Sequence, residues 1–294
     1  MDVSIGLPTT VPGIDGSRLL EVARRAEDRG FAGLGVLDRL VYRGYDALTA
    51  MTAAAAVTTR VRLTTSVLLA AYRGAPAALA KQLATLDHLS GHRLVVGVAA
   101  GGRADDFEAA GVPYHRRGRL LDEALTIMTD IWKGGGQCAG IGPLPAEGSI
   151  PVLVGGHSPA AMRRAARFAT GWIAGGSSAS SYADLVTHAR RAWADHGRTD
   201  TPRMVALCYV SLGANGRELA GAYFRDYYSY IGPKAEQLAR GVIADGSALR
   251  DTVADYAESG CDELMLMPCT PEPEHVDLLA EVLPSRTLTW SNLG

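Results

Sequence analysis

Eight short apolar, β-branched runs alternate with longer amphipathic stretches along this chain, and that alternation leaves few folds open. The runs lie at 3–7, 33–37, 62–68, 93–98, 151–154, 172–174, 204–212 and 263–267. Helical periodicity fills most of the gaps. One helix is predicted from Arg18, with Ser17 as N-cap, to a stop at Gly30. Others are predicted at 46–57, 76–89 with Pro76 in the first turn, near Asp105, and at 117–132, 159–168, 182–196 and 274–283. Helical material fills 218–259, and the Gly/Pro-rich stretch 134–148 reads as a loop. Strands separated by helices pair in parallel, because parallel neighbours need long crossovers. Eight such units in 294 residues suit a closed (β/α)8 TIM barrel better than an open doubly wound sheet. No Gly-x-Gly-x-x-Gly follows the first strand, which weakens the dinucleotide-binding alternative. The expectation is an α/β barrel over 1–294, a single domain with a helical insertion before strand eight.

Composition limits the partners. Apolar residues make up 47% and charged residues 20%, and the net charge is −2. That balance favours neither nucleic acid nor an acidic membrane. The cysteines Cys138, Cys208, Cys261 and Cys269 form no Cys-x-x-Cys pair, and the histidines show no ligand spacing, so no metal site is expected. The N-terminus reads as no signal peptide, and no apolar stretch reaches bilayer length. A cytoplasmic protein is the expectation.

Barrels of this kind carry their active sites at the C-terminal ends of the strands. That rule selects Pro8, Thr9 and Thr10 after strand one, and Asp38 and Arg39 after strand two. Ser66 and Val67 lie near the end of strand three, and Ala100, Gly101, Gly102 and Arg103 follow strand four. Gly155, Gly156, His157 and Ser158 follow strand five, and Gly175, Gly176 and Ser177 follow strand six. Cys208 and Tyr209 belong to strand seven, and Pro268 and Cys269 follow strand eight. The sharpest signal is Gly155-Gly156-His157-Ser158-Pro159. Two glycines permit close backbone approach, Ser158 can cap the next helix, and its free amides face an anion. Arg163 and Arg164 lie one turn on. An ordinary capped turn explains the same residues equally well.

Several chemistries are excluded or weakened. No lysine stands at a strand end, so a Schiff-base aldolase is not expected. No His/Asp/Glu cluster recurs there for a metal hydrolase. Ser66 and Ser158 lack evident triad partners in the sequence. Glycine-lined walls, few acid–base groups and an anion cradle point to a cofactor that carries its own chemistry.

Five stretches then carry a likeness in order: 26–38 (AEDRGFAGLGVLD), 62–68 (RLTTSVL), 79–98 (LAKQLATLDHLSGHRLVVGV), 107–123 with Arg119, Asp122 and Glu123, and 155–158 with Ala165, Ala166, Gly171 and Trp172. In the third, His92 stands where the shared Leu-Asp-x-Leu-Ser-Gly-Gly-Arg pattern has glycine. With these, the chain resembles the bacterial luciferase-like family of flavin- or F420-dependent oxidoreductases. The resemblance implies a cofactor on the C-terminal face, with Gly156 and Ser158 at its phosphate and a non-prolyl cis peptide at Ser66-Val67 behind its ring. It places Asp38 beside ring and substrate. Asp38 and Ser66 are thus the catalytic candidates. Ser66, Val67, Ala100, Gly101, Gly155, Gly156, His157, Ser158 and Gly176 are the cofactor-binding candidates. The alternative for Asp38 is a structural pair with Arg39 or Arg43.

The implied activity is a monooxygenase using reduced FMN from a separate flavin reductase on a small organic substrate. F420-dependent hydride transfer is the alternative, and a flavin-binding protein without turnover is a third reading. Many relatives carry a histidine where this chain has Arg39, which weighs against the F420 branch. The short 134–148 loop leaves the pocket open or covered by 214–246. There Tyr223, Phe224, Tyr227, Tyr228 and Tyr230 recur at helical spacing, as core residues do. A homodimer is expected through the alanine-rich faces at 53–56 and 75–81.

Overall fold

A computed structural model describes residues 1–135 and 140–283, so Cys138 lies outside the described residues. Eight parallel strands close into a barrel in chain order. They are β1 (Asp2–Gly6), β2 (Gly33–Val36), β3 (Arg62–Thr65), β4 (Leu94–Val98), β5 (Val152–Gly155), β6 (Gly171–Gly175), β7 (Arg203–Val210) and β8 (Glu263–Pro268). β8 closes on β1 with Val3 opposite Leu264.

The helices cover the strands. They are α1 (Gly16–Asp28), α2 (Ala47–Ala56), α3 (Pro76–Leu89), α4 (Ala104–Ala109), α5 (Arg117–Trp132), α6 (Pro159–Phe168) and α7 (Ala179–Asp195). Between β7 and β8 lie α8 (Gly216–Tyr227), α9 (Lys234–Arg240) and α10 (Gly246–Glu258), and α11 (Glu274–Val282) follows β8. The predicted insertion is therefore three helices. Caps explain several starts. Ser158 accepts from the Ala161 amide and Pro159 occupies the first turn of α6. α1 corrects the Ser17 cap: Asp15 accepts from the Arg18 amide, and Ser17 instead donates to Asp15. α7 begins three residues earlier than its predicted start, because Ser178 caps it.

The barrel interior is layered. At the N-terminal end Asp2, Arg62, Arg203 and Glu263 form a buried ionic ring, with Asp2–Arg62 at 2.6 Å and Arg203–Glu263 at 3.0 Å. Such a ring adds little net stability but fixes geometry at the closure, because each ion lost water on burial. Above it Leu153, Ile173 and Val205 fill the middle. Leu207, Met265 and Met267 form the layer nearest the C-terminal mouth, beside Leu37 and Tyr209. Gly35 admits Met265: a Cβ there would fall 1.9 Å from its sulfur. Outside the strands, a continuous apolar shell includes the fully buried Trp132, Trp172 and Tyr182. Complete burial of one such side chain contributes roughly 2–3 kcal/mol.

Candidate active site

β3 stops at Thr65, short of the predicted run to residue 68, because the chain turns there. The Ser66-Val67 peptide is cis. Ser66 is anchored to β2: its amide donates to the Val36 carbonyl at 2.8 Å and its hydroxyl to the same oxygen at 3.2 Å. The Thr65 hydroxyl and Leu68 amide both donate to Gly97 on β4, at 2.7 and 2.8 Å. Val67 faces across the barrel mouth. A Cβ on Gly155 would meet Val67 Cγ1 at 3.2 Å and Ala99 Cβ at 3.4 Å. Val67, Ala99 and Gly155 thus make a small apolar floor. Ala100 and Gly101 continue from it, partly exposed. Gly101 has φ +82°, and its carbonyl accepts from Arg117 Nε at 3.1 Å.

Asp38 is buried and fully engaged. It accepts from the Leu69 amide at 2.9 Å, the Tyr72 hydroxyl at 2.8 Å and Arg73 Nη2 at 2.8 Å. Its ionic partner is Arg73, which corrects the Arg39 or Arg43 alternative. Arg73 also reaches Asp46, the N-cap of α2, at 3.1 Å. Burial, then the Asp38 charge, pushes the Tyr72 phenol above its ordinary range. Asp38 therefore ties the end of β2 to the segment that follows the cis peptide.

Arg39 takes a different partner. It pairs with the buried Asp106 at 2.9 Å, and the Leu40 and Val41 amides join the same carboxylate at 3.0 and 2.7 Å. Its guanidinium lies 5.9 Å from the Tyr42 ring and 5.7 Å from Tyr227. This knot holds the loop after β2 against α4 and the α8 helix.

The glycine-rich turn after β5 has the form an anion cradle needs. Gly156 has φ +123°, and a Cβ there would fall 3.0 Å from Ala161 Cβ. Trp172 Nε1 donates to the Gly156 carbonyl at 2.8 Å, which turns that oxygen away and fixes the loop. His157 and Ser158 are exposed at the N-terminus of α6, whose first-turn amides lack intrahelical acceptors. Partial burial holds His157 below its ordinary pKa. Gly176 ends the next strand with φ +70° and open space around it. These residues fit a phosphate ester. Arg164 does not join them: it pairs with Asp122 at 2.5 Å and donates to the Gly118 carbonyl.

Sequence reasoning missed Tyr72, Arg73 and Asp106, whose roles depend on partners far along the chain. It placed Trp172 in strand six and in the family pattern, but not its hydrogen bond to the Gly156 carbonyl. The aromatic group at 223–230 is core where expected on α8, with Tyr223, Phe224 and Tyr227 buried, but Tyr230, beyond the end of α8, is 51% exposed. Among the described residues no group of three or more His, Cys, Asp or Glu is placed to hold a metal, and no helix is long and apolar enough to cross a membrane.

Residues 1–264 match the family model described as luciferase-like monooxygenase. An uncharacterised protein of Mycobacterium tuberculosis is 38% identical over 154 residues, covering 49% of this chain and 52% of its own length. The chain thus spans about half the length of that relative. A second uncharacterised M. tuberculosis protein is 34% identical, over 64% of this chain and 70% of its own length. An F420-dependent glucose-6-phosphate dehydrogenase of Nakamurella multipartita is 31% identical, over 60% of this chain and 57% of its own. Among solved structures, an F420-dependent secondary alcohol dehydrogenase superposes with TM-score 0.81 at 19% identity, over 97% of this chain and 99% of that one. The monooxygenase RslO1 of Streptomyces bottropensis superposes with TM-score 0.79 at 23% identity, over 96% and 98%. Both share the fold, and with the match over residues 1–264 the chain belongs to the bacterial luciferase-like family of oxidoreductases.

Proposed function

We propose that this protein is an F420-dependent oxidoreductase that moves hydride between the deazaflavin and a small organic substrate. The observation that carries the proposal is the open cradle at Gly156, His157, Ser158 and Gly176. F420 is a phosphodiester whose tail continues beyond the phosphate. It needs an anion site that opens to solvent, and here His157, Ser158 and Gly176 are all exposed. The F420-dependent relatives found by both sequence and structure support the same choice. This reverses the order expected from Arg39 alone. A histidine at that position is not required for the pocket to form, because Arg39 serves to hold the loop through Asp106.

In this reading the α6 amides, Ser158 and His157 bind the phosphate. Val67, Ala99, Ala100 and Gly101 border the ring. Asp38 positions the segment from Leu69 to Arg73 and so keeps the Ser66-Val67 floor in place. When bound, the deazaflavin supplies a two-electron hydride carrier. The apolar floor excludes water from its face.

The monooxygenase reading stands second, favoured by the likeness to RslO1. Fluorescence titration of the purified protein with F420 and with FMN separates the two. The proposal expects F420 to bind at micromolar concentration and FMN to bind far more weakly. Tight binding of reduced FMN with oxygen consumption, and none of F420, would reverse it.

A further inference from the structure

On the wall opposite the cis peptide stands a tyrosine that no step above uses. In a closed barrel of eight strands in chain order, β7 lies diametrically across from β3. Along β7 the inward positions alternate. Val205 packs with Leu153 and Ile173 in the middle layer, and Leu207 and Tyr209 pack with Met265 and Met267 nearer the mouth. Tyr209 is the last inward residue of the strand. It is partly exposed, whereas Leu207 and Met267 beside it are buried at 7% and 2%.

Its ring is held in place. Phe224 meets it edge-on at 4.9 Å and Tyr223 lies at 5.7 Å. Its hydroxyl lies 2.8 Å from that of Tyr228, which comes down from the end of α8. Tyr228 in turn stacks at 6.1 Å on the exposed Tyr230. A hydroxyl pair thus leads from the mouth toward the solvent rim. Of the other polar side chains at the mouth, Asp38 holds Arg73, Arg39 holds Asp106 and the Thr10 hydroxyl lies 3.0 Å from that of Tyr223, while the buried Thr9 hydroxyl has no hydrogen-bond partner.

We propose that Tyr209 is the acid that protonates the substrate oxygen during hydride transfer, that Tyr228 returns its proton, and that the substrate is an uncharged ketone or enone. The proposal rests on the F420 reading above. The substrate class follows from the apolar surroundings of Tyr209, which packs with Leu37, Leu207 and Met267. The groups facing the pair are Tyr223 and Tyr227 from α8, Tyr230 just after it, Cys269 after β8 and Arg39 beside Tyr227. None is a carboxylate that would take the phenolic proton. Burial pushes the Tyr209 phenol well above its ordinary value and Tyr228 up to about 12. Both stay protonated at neutral pH, as an acid that serves a nascent alkoxide must.

The step balances. For a saturated ketone, the carbonyl π pair moves onto oxygen as its carbon takes hydride from the reduced deazaflavin. Oxygen takes the Tyr209 proton, Tyr209 takes that of Tyr228, and water restores Tyr228. The second hydrogen of the reduced carrier leaves to solvent as a proton. The products are the alcohol and the oxidised deazaflavin. For an enone, hydride adds to the β-carbon, the oxygen takes the same proton, and the enol becomes the saturated ketone.

The unaltered protein, Tyr209→Phe and Tyr228→Phe are first titrated with F420 by fluorescence. Each is then assayed for oxidation of reduced F420 by acetone, cyclohexanone and cyclohex-2-enone. The expected result is F420 affinity within about twofold in all three proteins. Turnover should fall about a hundredfold in Tyr209→Phe, in the range of general-acid effects, and about tenfold in Tyr228→Phe, which acts only through Tyr209. Independently of turnover, carbonyl-13C cyclohexanone added to the oxidised F420 complex should shift downfield with the unaltered protein and not with Tyr209→Phe. Turnover in Tyr209→Phe within twofold of the unaltered protein, an unchanged carbonyl shift, or no oxidation by any of the three ketones would overturn the assignment while leaving F420 binding intact. Failure of F420 to bind the unaltered protein would remove the functional reading itself.

Discussion

Asp38 Oδ1 lies 2.8 Å from Arg73 Nη2, and the two residues sit on either side of the Ser66-Val67 turn. The Asp38 side chain is 1% exposed and that of Arg73 17%, so little water replaces the contact if it breaks. Asp38→Asn removes the charge and leaves Arg73 with only the exposed Asp46. Removing one partner of a buried pair costs about 3 kcal/mol. Chemical denaturation should show a loss of that size, together with weaker cofactor binding. A variant as stable as the parent but without turnover would instead make Asp38 a group that touches substrate.

Ser158 has two tasks in this reading, capping α6 and binding phosphate. Ser158→Ala should lower stability by about 1 kcal/mol through loss of the cap. It should weaken F420 binding about tenfold through loss of a charge-assisted hydrogen bond. Ser158→Asp separates the tasks, because aspartate caps a helix but repels phosphate. Its unfolding midpoint should match the parent while F420 binding falls below detection. Binding that survives in Ser158→Asp would move the phosphate elsewhere.

The barrel and several of its helices were legible because their signals are local. α3, α5 and α6 begin and end at the residues that periodicity selects, with Pro76 and the Ser158–Pro159 cap marking two of the starts. The capped glycine turn at Gly156–Ser158 was legible for the same reason. The end of β3 was not legible in the local pattern, since Val67 and Leu68 prolong the strand alternation; the family likeness, not periodicity, placed the cis peptide at Ser66-Val67, where the structure has it. Ser17 and Asp15 are both good caps two residues apart, and only the observed geometry chooses Asp15. The partner of Asp38 lies 35 positions away and that of Arg39 lies 67, beyond any local pattern. Tyr209 alternates as a strand residue should, but its hydroxyl partner on α8 is set by tertiary packing.

Gly97 permits the turn after β3 to lie where it does. A Cβ at Gly97 would fall 2.0 Å from the Thr65 carbonyl oxygen, which belongs to rigid strand backbone. Gly97→Ala must therefore push β3 from β4 and disturb both hydrogen bonds that the Gly97 carbonyl receives. Overpacking of this kind costs about 3 kcal/mol. Thermal unfolding should report the loss. F420 affinity should fall with it, because Val67 rides on the displaced segment. Normal affinity in a destabilised Gly97→Ala protein would show that the Val67 floor does not contribute to binding.

His275 makes the fold sensitive to acid at a point away from the cradle. It sits in the first turn of α11, buried, with Nε2 accepting from the Leu212 amide at 2.8 Å. That bond requires the neutral ring with its proton on Nδ1. Burial lowers its pKa from the ordinary 6.5 to about 4. Between those two values the unfolded chain binds the proton and the folded chain does not. The folded state therefore keeps its full advantage above about pH 6.5 and loses it progressively as the pH falls toward 4. A gap of this size corresponds to about 3 kcal/mol. His275→Gln keeps an acceptor for the Leu212 amide and does not titrate. The parent should lose stability relative to His275→Gln by that amount between pH 7 and pH 4, measured by denaturant unfolding at each pH. Parallel pH profiles for the two proteins would show that His275 is protonated as readily in the folded chain as in the unfolded one, and that the α11 contact with the loop after β7 does not depend on its neutral form.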